Sequence, residues 1–432
     1  MSASFRWIFT LAAILLVSLQ ALTSCSPGAT SQATGGRSTS QSSAATATAE
    51  PASTATPRPA TTAVSTVYAQ SDHALVALDA HTGALRWQYP SGATVLAVAD
   101  GMLYVGVADT AGADTLLALS TNTGTVRWRL PFPRGAAPRM VAAQGSNVYI
   151  IRGDVVNGWL QDEALYALAA TDGHVLWRHS MGLITINHPI MGPGVVYILH
   201  DDPIDEQNFI PGFNVTIYAI DARTGLERWR SHISKTEIAE VAASEQALYL
   251  LAEAIDAGSV YALDPADGHL LYHTFTAILG WSLAQLSLAN GTLYNCRDIP
   301  QGQFGTPPAH SVITALDAAN GQKRWQQSMN GVCLRALTAT AGSTILLMRA
   351  SDFDGAFTLH ILDARTGVEL RQYALPFAAP ASDYTVPAIR ISETTVYIEG
   401  IDLTVRAFNL DSGATIWQYH MNGSSLGDLT IA

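Results

Sequence analysis

Ala77 to Trp87, ALDAHTGALRW, is one of eight versions of a single phrase, and that repetition constrains the fold more than any other property of this chain. Aligned on the glycine of the turn, the copies fall at Gly83, Gly124, Gly173, Gly225, Gly268, Gly321, Gly367 and Gly413, 41 to 53 residues apart. Six residues before the glycine, seven copies carry alanine: Ala77, Ala118, Ala167, Ala219, Ala262, Ala315 and Ala407. Four residues after it, seven carry a large aromatic: Trp87, Trp128, Trp177, Trp229, Tyr272, Trp325 and Trp417. The copy at Ile361 to Arg371 departs at both places. A period of this length marks a repeat architecture rather than a chain of separate domains.

Each copy is two short strands around a turn, and a second strand phrase lies upstream: TVYAQ, MLYVGVA, NVYIIR, VVYILH, ALYLLAE, TLYNCR, TILLMRA and TVYIEG. A further alternating run, such as TVLAVA or EIAEVAA, usually precedes that. Four short strands per unit with no helical period predict an all-β fold, an eight-bladed β-propeller of four-stranded antiparallel blades. The turn glycine supplies a positive φ, and the Asp, Asn or Thr beside it bonds local backbone. The alanine is expected to leave room for an aromatic of the neighbouring blade, so that the aromatics act as wedges between blades. The first unit begins at Ser65-Thr66-Val67-Tyr68 without an innermost strand, and the chain ends on Gly427-Asp428-Leu429-Thr430-Ile431-Ala432. These last residues are expected to complete the first blade and close the ring, because an open ring would leave strand edges unpaired.

Ahead of the repeats, Arg6 precedes an apolar run, Ile8 to Leu22, that is short for a membrane span and suited to a signal peptide. Leu22-Thr23-Ser24-Cys25 resembles the lipobox of bacterial lipoproteins, which implies lipidation of Cys25. Ser26 to Ala63 is almost wholly Ser, Thr, Ala, Pro, Gly and Gln, a composition too poor in large apolar residues to order itself. The expected organisation is therefore signal peptide 1–24, lipidated cysteine and tether 25–63, and propeller 64–432. The implied location is outside the cytoplasm on a lipid anchor, at the outer membrane where the cell has one.

Ala-x-Asp-x-x-Thr-Gly-x-x-x-Trp, complete in Ala77 to Trp87, resembles the repeat of pyrroloquinoline-quinone-like (PQQ-like) propellers, and the likeness covers nearly all of the chain after the tether. Two branches of that family matter. Quinoprotein dehydrogenases bind the cofactor beneath a disulfide of adjacent cysteines, with a calcium held by Glu and Asn and an aspartate base. Propeller lipoproteins like the barrel-assembly factor of outer membranes bind protein. This chain has only Cys25, Cys296 and Cys333, none adjacent, and its blades are short with no matching acid cluster. The resemblance thus implies a non-catalytic protein-binding scaffold with no cofactor. The alternatives are a PQQ-dependent dehydrogenase-like enzyme and a cell-wall or polysaccharide binder.

Composition narrows the partners. The formal charge is −12 and there are only two lysines, Lys235 and Lys323, so nucleic acid is not expected as a ligand. The expectation is a monomer that binds protein. The histidines are scattered without zinc spacing, and no phosphate loop or nucleophile elbow is present. Cys296 and Cys333 fall where strand ends of neighbouring blades could bring them together; a disulfide and two buried thiols both fit.

Variable segments collect on the face opposite the TG turns, and binding commonly sits on such loops. Blade three contributes Gly153 to Asp162 with Trp159, blade four Asp201 to Phe213, and blade six Ile299 to Pro308 with Phe304. Trp159, Phe209 and Phe213 read as partner anchors, or as caps folded onto their own blades. Asp201, Asp202, Asp205 and Glu206 read as a negative rim steering a basic partner, or as a calcium loop of unusual spacing.

Overall fold

The computed structural model describes residues 65–90, 93–108, 114–132, 140–156, 159–182, 189–205, 210–234, 237–253, 257–278, 285–300, 308–338, 342–349, 356–378, 387–423 and 426–432. The signal and tether segments expected from the sequence, with Cys25, lie outside the described residues. The repeats form an all-β propeller of four-stranded antiparallel blades. Its strands pair into eight such sheets, numbered here by repeat, each laid down in chain order from the inside outward except the first. No described helix is long and apolar enough to cross a membrane.

Blade one shows how the ring closes. Its strands Thr66–Ser71, Leu75–Asp79 and Leu85–Tyr89 are completed on the inside by Leu426–Ile431, the last strand of the chain. The register Val67↔Ile431, Tyr68↔Thr430 and Ala69↔Leu429 is sealed by backbone bonds between Thr66 and Ala432 in both directions. Leu429 is fully buried in a core it shares with Val405, Ala407 and Trp417 of blade eight. The expected closure by Gly427 to Ala432 is thus what the structure shows, and it leaves blade one with no open inner edge.

The repeated phrase builds one row across six of the sheets. In blade one, Tyr68 pairs with Ala77 and Ala77 with Trp87, and the two rings meet over the alanine with centroids 5.8 Å apart. The same row recurs as Tyr104–Ala118–Trp128, Tyr149–Ala167–Trp177, Tyr197–Ala219–Trp229, Tyr294–Ala315–Trp325 and Tyr397–Ala407–Trp417. This corrects one expectation: the alanine makes room for the aromatic of its own blade. A larger residue there would push the flanking rings apart. What the neighbouring blade supplies is the turn glycine.

Candidate functional site

On the TG face, each wedge lies on the next blade's glycine. A Cβ built on Gly124 would sit 2.6 Å from the Trp87 ring, and one on Gly173 would sit 2.9 Å from Trp128. Trp177 covers Gly225, Trp229 covers Gly268, Tyr272 covers Gly321, Trp325 covers Gly367, and Trp417 returns to Gly83. Each glycine is also at positive φ, between 66° and 77°, so two independent demands exclude a side chain. The ring nitrogen then donates to a turn carbonyl of the same neighbour: Trp87 to Thr121, Trp128 to Ala170, Trp417 to Ala80. The link from blade seven to blade eight is made by Tyr373, which lies on Gly413 and donates to the Leu410 carbonyl at 3.2 Å. It stands six residues after its glycine instead of four, opposite Leu359, while Arg371 takes the position that holds the aromatic in the other repeats, so the repeat pattern does not reveal it.

Aspartates of the TG turns are engaged in the same lattice. Asp79 accepts from the Thr82 amide and hydroxyl and from Arg86 at 2.6 Å, and the Arg86 bond holds its carboxyl well below the usual carboxylate range. Asp221 repeats this with Thr224 and Arg228, and Asp317 with Arg324. One group, Asp264, Asp267 and His269, brings three possible metal-ligand atoms within 4.8 Å of one another. Its geometry is that of the turn: Asp267 accepts from the His269 amide and ring, as Asp172 does from His174 in blade three.

The opposite face differs from blade to blade. The second and third strands of blade one have six and five residues. Those of blade three have 10 and 11 (Asn147–Val156, Trp159–Ala169), and those of blade four 11 and 12 (Val195–Asp205, Ile210–Asp221). Blade six follows with nine and 10 (Thr292–Pro300, Pro308–Asp317). Five further residues of strand reach about 16 Å beyond the disc. In blades three and four the segments read from sequence as loops are therefore mostly strand, whereas residues 301–307 of blade six lie outside the described residues. Pairing continues through Trp159↔Val156 and Asp205↔Ile210, with register shifts between Leu160 and Asp162 and on either side of Pro203.

This places the expected contact residues. Trp159 opens the returning strand of blade three; Asp201, Asp202 and Asp205 lie on the outgoing strand of blade four and Phe213 on its return. At these five positions the structure describes the backbone alone. Glu206, Phe209 and Phe304 lie outside the described residues. At the base of the blade-three hairpin, Asp162 accepts from Arg178, from the Ser180 hydroxyl at 2.7 Å and from the Gly182 amide at 2.7 Å, pinning the hairpin to the outer strand.

Polar groups unforeseen from sequence are buried beneath this face. Glu163 and Glu399 are fully buried, and Arg297, Asp298 and Arg406 nearly so. Asp298 accepts from the Ser311 hydroxyl at 2.5 Å and the Cys333 amide at 3.0 Å, and burial pushes its carboxyl up. Arg297 crosses from blade six into a notch left by Gly258 of blade five, where a Cβ would meet its guanidinium. Arg406 pairs with both oxygens of Asp402 and lies over the Phe377 ring of blade seven. Cys296 and Cys333 are bonded to each other, Cα atoms 6.4 Å apart, joining blade six to blade seven. The available signal was the charge interrupting the apolar alternation of TLYNCRD and TVYIEG.

With this geometry, the comparisons are direct. The family model described as outer membrane protein assembly factor BamB matches residues 28–202, 213–385 and 309–431. Comparison with curated protein sequences finds no match. Among solved structures, BamB from Moraxella catarrhalis is similar at 15% identity and a TM-score of 0.50, over 77% of this chain and 87% of that one. AztD from Citrobacter koseri is similar at 10% identity and 0.56, over 85% and 97%. Quinohemoprotein alcohol dehydrogenase from Comamonas testosteroni is similar at 14% identity and 0.51, over 79% and 69%. At these identities the structural likenesses speak to the fold alone, while the match to the family model spans most of the sequence. The chain belongs to the PQQ-like repeat propellers of the BamB family.

Proposed function

We propose that this chain is a non-catalytic, eight-bladed scaffold propeller, held outside the cytoplasm by lipid on Cys25, that binds a protein partner through the hairpins of blades three and four with blade six beside them. The observation that carries this reading is the asymmetry of the two faces. The TG face is occupied by its own lattice of wedges, glycines and aspartate turns, whereas the other face projects paired strands of 10 to 12 residues that the blade cores do not need. The family description, an assembly factor of outer membrane proteins, supports a partner that is itself protein. The cysteines support a scaffold over a quinoprotein: Cys296 and Cys333 are buried in the seam between two blades, on separate strands 37 residues apart. That is a different placement from an adjacent pair over a cofactor.

The test changes Trp159, Phe209 and Phe213 together to serine and compares crosslinked capture of membrane proteins with a TG-face control, His81→Ser. Capture lost in the triple variant and kept in the control, with both melting as the parent, is the expected result. Capture that survives the triple variant would exclude the hairpins. Incubation with pyrroloquinoline quinone and calcium, followed by gel filtration and absorbance, should leave no quinone with the protein.

A further inference from the structure

The outer strand of each blade is an edge, and this protein protects those edges with charge in all but two cases. On the outward rows three, five and seven residues after the glycine, blade one carries Arg86, Gln88 and Pro90; blade two Arg127, Arg129 and Pro131; blade four Arg228, Arg230 and His232; and blade six Arg324, Gln326 and Ser328. Blade three has Leu176, Arg178 and Ser180 in this row, and blade seven Leu370, Gln372 and Ala374, with Glu369 and Arg371 alternating with them on the same strand. Blade eight, without charge, still sets Gln418 and His420 behind Ile416. Blade five alone has Leu271, His273 and Phe275. Its outer strand, Leu270–Ile278, carries no charge, pairs among the described residues only with Ala257–Leu263, and exposes Leu271 by 42% and Phe275 by 71%. Unprotected edges of this kind are templates for another strand.

The rings are arranged as a surface. His273 stacks on Tyr261 at 4.3 Å and Phe275 leans on His273 at 4.9 Å, so the stripe runs into the core shared by blades four and five, against which Tyr261 packs. At the start of the strand stand Asp264 and Asp267, and the His269 amide and ring keep Asp267 below the usual carboxylate range.

We propose that the outer strand of blade five is a strand-addition site for an extended segment of a partner protein, apolar at alternate residues and basic at the end that meets the Asp264–Asp267 turn. The backbone of the edge would supply the ladder, and Leu271 and Phe275 the contact for every second side chain. Charge selects the occupant: the edge is neutral, its end is negative and the chain carries −12, which disfavours a second copy and favours a segment ending in Lys or Arg. The site is separate from the projecting hairpins and does not depend on them.

The probe is a fluorescein-labelled peptide of the strand's length, nine residues, alternating Thr and Val between terminal lysines, titrated into the full-length protein by anisotropy. A peptide of identical composition with its valines contiguous is the control. Binding of the alternating peptide should weaken about tenfold in Phe275→Lys, the scale of losing an aromatic anchor. It should weaken less in Asp267→Asn, with a loss that high salt removes, and should persist in the Trp159, Phe209 and Phe213 triple variant. Phe275→Thr keeps the test readable should the lysine disturb folding. Equal binding of both peptides, or indifference to both Phe275 variants, would overturn the proposal. So would a sedimenting dimer of the parent that Phe275→Lys dissociates, which would assign the edge to a second copy.

Discussion

Trp128 is held in three ways at once: over Ala118 beside Tyr104 in its own blade, against Gly173 of the next, and by its ring nitrogen to the Ala170 carbonyl at 2.8 Å. Trp128→Ala should therefore cost about 3 to 5 kcal/mol in urea unfolding, the range for a buried aromatic. Gly173→Ala should also destabilise, through both its φ of 76° and the ring it would strike. In the double variant the second cost disappears with the ring, so the two effects should sum to more than the pair loses together. Additive losses would mean that the glycine and the tryptophan do not meet. Asp298 sets a different test. Its carboxyl is pushed up in the fold, so from about pH 4 upward the unfolded chain releases that proton more readily than the native one. The parent loses stability through that window and Asp298→Asn does not. The variant, whose amide oxygen still accepts from Ser311 and Cys333, should gain on the parent as pH rises from 4 to 8, measured by urea midpoints. A constant difference would show that Asp298 does not titrate as its burial requires.

Among elements, the hairpin of blade three separates packing from projection. Its core residues end with Tyr149, Ile150 and Ile151 on one strand and Ala164, Leu165 and Ala167 on the other, and the Asp162 bonds to Arg178 and Ser180 mark the boundary. Replacing residues 155–161 by a two-residue Asn-Gly turn, which keeps Asp154 opposite Asp162, should leave the melting temperature close to that of the parent while reducing partner capture. A large drop in melting temperature would make the projection part of the core. Blade seven is the opposite case. It lacks the Tyr–Ala–Trp row, having Ile345, Ile361 and Arg371 in its place, and recovers the wedge with Tyr373. A small cavity of about 20 Å³ lies there, lined by Tyr373, Leu375, Phe408 and Gly413, where a phenol replaces the larger indole. The disulfide from Cys296 to Cys333 enters this irregular blade from blade six.

For the whole molecule, stability depends on the ring being closed. Removing residues 426–432 would strip the inner edge of Thr66–Ser71, expose the fully buried Val67 and Ala69, and unseat Leu429 from the seam with blade eight. The deletion should abolish a single cooperative melt, whereas Leu429→Ala should retain one at a lower temperature. A deletion that melts like the parent would show that blade one stands without its fourth strand. The architecture was legible in sequence because its determinants are local: a positive-φ glycine, an aspartate that bonds its own turn, and alternation within a strand act over a few residues and recur. The same locality made the closing strand readable, since blade one visibly lacked a partner that the last residues could supply. What the rings touch was decided only by the tertiary structure. The alanine's neighbour in its own sheet, the glycine under each wedge, Tyr373 in an unaligned position and Arg297 in the notch at Gly258 are contacts between residues 10 to 334 positions apart, set by strand register and blade angle. The loop-like segments of blades three and four became projecting strands for a related reason. Whether polar, proline-containing sequence pairs or wanders depends on the strand it leaves, and Asn147–Val156 and Val195–Asp205 leave the core already in register with their partners.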